Sequence, residues 1–164
     1  MNSPNPSVAI ASVMKSNDTK WLVGFRASMV TAKAPRIAAA VDERLSQLGE
    51  QALRTAIGET PTGLSLDERV HEATRVYGEF LAYKHGGTRV DASKIKAMIA
   101  RWGEKEAVSR TVTKLTMSTG LELFAKYDRL DCAYEQIVLD FPGEYDAALV
   151  DKARENLARL PANA

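Results

Sequence analysis

Cysteine is nearly missing from this sequence: Cys132 stands alone among 164 residues. A lone thiol cannot close an intramolecular disulfide and brings no second sulfur to a zinc knuckle, so a stapled scaffold and a thiolate metal site both lose their raw material. Cys132 therefore reads as a core packer. Histidine is almost as scarce, with only His71 and His85. Glu68 and His71 stand one helical turn apart, the spacing of carboxylate-bridged metal bundles. Such a bundle needs a second pair, and His85 has no acid three residues before it. His71 also falls off the apolar stripe of its segment, which points to an ion pair with Asp67 or Glu68 on a solvated face. No metal and no cofactor are expected.

Other absences narrow the chemistry further. Neither a Gly-x-x-x-x-Gly-Lys loop nor a Gly-x-Gly-x-x-Gly turn occurs, so the familiar nucleotide cradles are missing. With one thiol and two imidazoles, few nucleophile and base combinations exist, and Asp131 beside Cys132 raises rather than lowers a thiol pKa. No catalytic residue nominates itself. No window approaches about 18 uncharged apolar residues. Val8 to Met14 is too short to span a bilayer and lacks the basic start of a secretory signal, so the expectation is a cytoplasmic protein without a membrane.

What the sequence does hold is helical periodicity. Its apolar share of 45% and charged share of 26% are those of a globular chain. Asp18 can cap a helix over 20–32 with Trp21, Leu22, Phe25 and Met29 on one face. Pro35 suits a first helical turn, and Ile37, Val41, Leu45, Leu48, Ala52 and Ala56 follow on one side, in one long helix or a pair broken near Gly49. Two glycines and a proline between Gly58 and Gly63 mark a subdomain boundary. Ser65 and Glu68 form a capping box for a helix running to about Lys84, with Leu66, Val70, Ala73, Tyr77, Phe80 and Leu81 inward and Gly86-Gly87 to stop it. Asp91 starts the next helix.

The stretch from Ile95 to Leu115 organises the rest. Ile95, Met98, Ile99 and Trp102 recur at i, i+3, i+4, i+7, and after Gly103 a second stripe follows in Ala107, Val108, Thr111, Val112 and Leu115. Glycine most easily ends one helix with a positive φ before another begins, so the pair reads as a helical corner with Trp102 buried where the faces converge. Thr116 to Gly120 reads as a connector, followed by a helix with Leu121, Phe124 and Ala125. Asp131 can cap a helix burying Ala133, Tyr134, Ile137, Val138 and Phe141, and Asp146 can cap a last one using Leu149, Val150, Ala153, Leu157 and Leu160. The fold class is all-α, an orthogonal array or irregular bundle of about six to eight helices. Its divisions are a disordered lead at 1–17, an N-terminal helical segment at 18–58 and a main core at 64–160. The core includes Val70, Tyr77, Phe80, Ile95, Ile99, Trp102, Val108, Val112, Phe124, Ile137 and Leu157.

The net charge of +1 hides blocks of opposite sign. From Lys84 to Lys114 eight bases face Asp91, Glu104 and Glu106, a local +5, so the corner is the most basic stretch. Lys94 and Arg101 share an outer face of the first helix, and Arg110 and Lys114 share one on the second. If the faces join, these four form a patch able to contact a partner or to track phosphates. A basic helix pair around a glycine resembles a helix-turn-helix over about twenty residues. Against DNA binding, Glu104, Lys105 and Glu106 follow the glycine where an apolar anchor belongs, and the two acids would meet phosphates. The primary expectation is therefore a non-enzymatic binding or regulatory module acting through a protein partner or as a homo-oligomer. The alternatives are a DNA-binding protein using the basic pair, and an enzyme with no recognisable motif.

Overall fold

Five of the described helices begin where a short polar side chain takes up a free backbone amide. Asn5 accepts from the Ser7 amide, Asp18 from Trp21 at 2.9 Å, Ser118 from Leu121 at 3.1 Å and Asp146 from Leu149 at 2.7 Å. Ser65 and Glu68 cap one another reciprocally, the Ser65 amide donating to the Glu68 carboxylate at 2.8 Å. The computed structural model describes residues 5–85, 92–114 and 118–161. Among these the chain is all-α, with nine helices and no strand. In order they are α1 (Pro6–Lys15), α2 (Thr19–Thr31), α3 (Pro35–Ile57), α4 (Leu66–Lys84), α5 (Ser93–Trp102), α6 (Glu104–Val112), α7 (Thr119–Lys126), α8 (Tyr134–Asp140) and α9 (Ala147–Ala158). Single 3-10 turns at Leu130–Cys132 and Pro142–Glu144 flank α8.

The chain forms two compact units, Met1–Thr55 and Ala56–Ala164. In the first, Val13, Leu22 and Val41 are fully buried, with Phe25, Ala40, Leu45 and Leu48 packed against them. The predicted disordered lead at 1–17 thus holds a helix in its described part, because Val13 supplies an apolar contact that a short local pattern does not advertise. Arg44 secures the α1–α2 turn by donating to the Ser16 carbonyl at 2.9 Å and to the Asn17 side chain at 2.6 Å. Arg26 of α2 ion-pairs with Asp42 of α3. Trp21 remains exposed, stacked on Phe25 at 4.9 Å between ring centroids. The α3 helix runs unbroken through Gly49. Its buried face includes Leu53 and Ile57, whereas Ala52 and Ala56 are exposed. The residues 58–63, read as a boundary, belong to the second unit.

In the second unit α6 is the central helix, packed against α4, α5, α8 and α9, while α8 and α9 pack extensively on one another. Val70, Val76, Val108, Val112, Ile137, Val138 and Ala153 are sealed from solvent. Phe80 adds rings against Phe124 and Tyr127, with centroids 5.5 Å and 5.2 Å apart. The expected core holds for most of its members, but Trp102 is a correction: its indole is 38% exposed. Ile95, Met98 and Ile99 are only half-buried, and no residue of α5 is fully buried. The physical reason is position: among the described residues α5 packs chiefly on α6, and Ile95 and Met98 face a cavity rather than a packed layer. Tyr77 and Leu157 are likewise half-buried. Gly86, Gly87, Asp91, Leu115, Thr116 and Met117, named above for a stop, a cap, a stripe and a connector, lie outside the described residues.

Candidate functional site

Gly103 creates the site. It ends α5 and starts α6 with φ 79° and ψ 168°, a backbone state open to glycine and strained for other residues. The expected positive φ is present, while the ψ value differs from that of a left-handed helical cap. The turn folds the outer faces of the two helices toward one another. Arg101 of α5 and Arg110 of α6 both bring their guanidiniums over the Trp102 ring, 4.9 Å and 4.3 Å from its centroid. Farther from the corner, Lys94 and Lys114 line one cavity. Between the pairs, the Thr111 hydroxyl lies 4.0 Å from the Met98 sulfur. Of the four cations singled out in the sequence, Arg101 and Arg110 thus meet at Trp102, while Lys94 and Lys114 line a common cavity.

The pairs differ electrostatically. Arg110 is partly compensated by Glu106, 2.8 Å away on the preceding turn. Neither Lys94 nor Lys114 has an ion-pair partner among the described residues. Glu104 instead lies against His71, with its carboxylate oxygen 3.1 Å from Nε2. His71 is solvated, as its position off the stripe implies, but its partner is Glu104 rather than Asp67 or Glu68. The reason is that Glu68 is spent on the Ser65 cap, whose amide and hydroxyl hold its carboxyl below the usual range.

The cavity beside the lysines has a volume of about 650 Å³. Its walls come from α4, α5, α6, α7 and α8, and Leu81, Ile95, Met98, Leu121 and Phe124 are among its apolar lining residues. Two buried polar residues also line it, Tyr134 and Glu135. Burial pushes the Glu135 carboxyl above its ordinary pKa, against the opposing effects of its own amide and of Asn156 at 3.4 Å. Burial likewise raises the Tyr134 phenol. The Tyr134 hydroxyl makes no well-formed hydrogen bond, and the Thr74 hydroxyl, which offsets part of its desolvation, is engaged with the Val70 carbonyl at 2.8 Å. Neither buried residue was legible as a site in the sequence. Glu135 lies on a helix buried on most of its sides, and periodicity marks its neighbours but not the acid itself.

A second polar cluster, also missed, surrounds Cys132. Arg129 is 5% exposed and donates to the carbonyls of Ile57 and Gly58 at 2.6 Å and 2.7 Å, to the Thr60 hydroxyl at 2.6 Å and to Asp131 at 3.0 Å. It also donates to the Cys132 sulfur at 2.8 Å. Asp131 therefore does not cap α8; its carboxylate is held by Arg129 and Thr60, which outweigh burial and keep its pKa low. Burial pushes the Cys132 thiol up to about 11, with Asp131 adding to the rise and Thr60 and Arg129 opposing it. Cys132 packs in the interior as expected, at 1% exposure. A sealed and fully protonated thiol is a poor nucleophile. This cluster ties residues 57–60 to the turn before α8. Among the described residues no three of the Asp, Glu, His and Cys side chains are grouped as metal ligands would be.

No protein-family model matches this chain, no curated protein is similar to it, and no solved structure matches it. Among the described residues no helix is long and apolar enough to cross a membrane.

Proposed function

We propose that this chain is a non-enzymatic binding module that acts through a protein partner, which lays an acidic segment across the corner formed by Arg101, Trp102 and Arg110. The observation that supports this reading is the exposed indole flanked by two guanidiniums. Tryptophan and arginine dominate the energetics of protein interfaces, because each brings a large apolar surface together with a polar end. An acidic side chain arriving at Arg101 gains a fork of donors, and its apolar neighbours gain the indole edge. Two features favour a protein over DNA or RNA. Glu106 already neutralises part of Arg110, which weakens the field a phosphate would feel. The guanidiniums also lie over the ring where a base would have to stack. The lone thiol suits a reducing compartment, the cytoplasm.

The test uses a Trp21→Phe background, so that emission reports Trp102 alone. Titration with an acidic amphipathic peptide of glutamate and leucine should shift that emission saturably, and the shift should disappear in Arg101→Gln/Arg110→Gln. If a mixed-sequence oligonucleotide binds instead, with a log-log salt slope approaching about −3.6 for four phosphate contacts, the nucleic-acid reading replaces this one. A mass doubled in light scattering, with Trp102 emission sensitive to dilution, would make the partner a second copy of the chain.

A further inference from the structure

The cavity lined by Lys94 and Lys114, away from the corner, is not used by that reading, and its composition specifies a different kind of occupant. Its volume of about 650 Å³ lies within the range of small-molecule sites, which are mostly apolar with a few placed polar groups. Leu81, Ile95, Met98, Leu121 and Phe124 give it an apolar wall. Lys94 from α5 and Lys114, which lies past the end of α6 rather than on its outer face, reach the same cavity, both exposed and both without an anionic partner among the described residues. Deep in the wall stands Glu135, 2% exposed, whose carboxyl is already costly to ionise.

We propose that this cavity binds an amphipathic carboxylate, with its head group between the Lys94 and Lys114 ammoniums and its apolar body directed inward past Ile95 and Met98. The orientation follows from charge. An anion near Glu135 would add a second negative charge to a desolvated site, whereas the same anion at the lysines meets two cations that still reach water. The choice of carboxylate over phosphate also follows from the neighbours. The guanidiniums that would fork onto a phosphate, Arg101 and Arg110, are drawn to Trp102, and two lysine charges beside a desolvated Glu135 match a singly charged head group better than a doubly charged one. The apolar wall needs a body, so a free dicarboxylic acid or an inorganic anion would leave most of the site unfilled.

Decanoate is a suitable probe, and decanol is its neutral counterpart with the same body. Calorimetric titration of the full chain should give saturable binding of decanoate, with decanol weaker by about tenfold or more, as expected from two charge-assisted contacts. In the parent protein, decanoate should shift the methyl resonance of Met98. The variant Lys94→Gln/Lys114→Gln keeps most of each stem and removes both charges, so decanoate should fall to the affinity of decanol while the decanol value stays unchanged. No heat with decanoate, equal binding of the two probes to the parent, an unmoved Met98 signal, or full decanoate affinity in the double variant would each overturn the proposal. Arg101→Gln/Arg110→Gln should retain decanoate binding, so the partner reading and this one fail separately.

Discussion

Replacing Gly103 by alanine should destabilise the second unit although the new methyl group touches nothing. An added Cβ at this position meets no atom within 4 Å, so neither a clash nor a packing gain enters the comparison. What remains is the backbone. At φ 79° and ψ 168° a residue with a Cβ is held in a sparsely populated state, which costs roughly 1–3 kcal/mol. The turn cannot easily relax, because the Gly103 amide donates to the Ile99 carbonyl at 2.7 Å while its own carbonyl accepts from Ala107 at 3.0 Å. With a penalty of about 2 kcal/mol and a urea slope near 2 kcal/mol/M, the unfolding midpoint should fall by about 1 M. Gly78 supplies the control of opposite sign. It lies inside α4, an added Cβ there also meets nothing within 4 Å, and alanine in a helix interior is favoured over glycine by roughly 0.5–1 kcal/mol. Gly78→Ala should therefore raise the midpoint. Far-UV circular dichroism of both variants in urea decides the matter. A Gly103→Ala midpoint equal to or above that of the parent would refute the strained corner.

Trp102→Ala should cost about 1–2 kcal/mol, mostly two exposed cation–π contacts and partial burial, rather than the 3–5 kcal/mol of a buried tryptophan; urea unfolding measures it. Arg129→Met should destabilise by about 3–5 kcal/mol, because it leaves the Gly58 carbonyl without its donor, the Ile57 carbonyl with Arg75 alone and Asp131 without its cation; a loss under 1 kcal/mol would show that the network carries little weight. Glu135→Gln should stabilise the protein at neutral pH. Its carboxyl pKa is raised by folding, so the cost of burying the charge is absent below the unfolded value of about 4.3 and grows as pH climbs toward the folded value. The gap between variant and parent should close as pH falls to about 4, and a gap independent of pH would contradict the assignment.

Local signals in the sequence carried far. Ser65 with Glu68, and Asp18 and Asp146 by themselves, act within one turn of chain, and each starts a helix where its spacing predicts. The basic residues were legible one helix at a time, since Lys94 with Arg101 and Arg110 with Lys114 are face arithmetic. Their pairing across Gly103 depends on the turn, and their sorting into a tryptophan pair and a cavity pair depends on what lies beneath. The misplaced burial of Trp102 shows the limit of periodicity. A stripe states which residues share a face and leaves open whether another layer covers that face. Arg129 and Glu135 were invisible for a related reason. Their interior places are defined by Ile57 and Asn156, far away in sequence, and no window of neighbouring residues contains those partners.

The sealed thiol makes the molecule its own reporter. A group with one sulfur, 1% exposure and a pKa near 11 cannot be alkylated at neutral pH while the Arg129 cluster is intact. Each modification event must therefore follow an excursion in which residues 57–60 separate from the turn at Leu130–Cys132. Under conditions where reclosing outruns chemistry, the labelling rate gives the free energy of that opening directly, with no introduced probe. Comparing that energy with the energy of global unfolding would show whether the clasp around Arg129 opens by itself or only when the whole second unit melts.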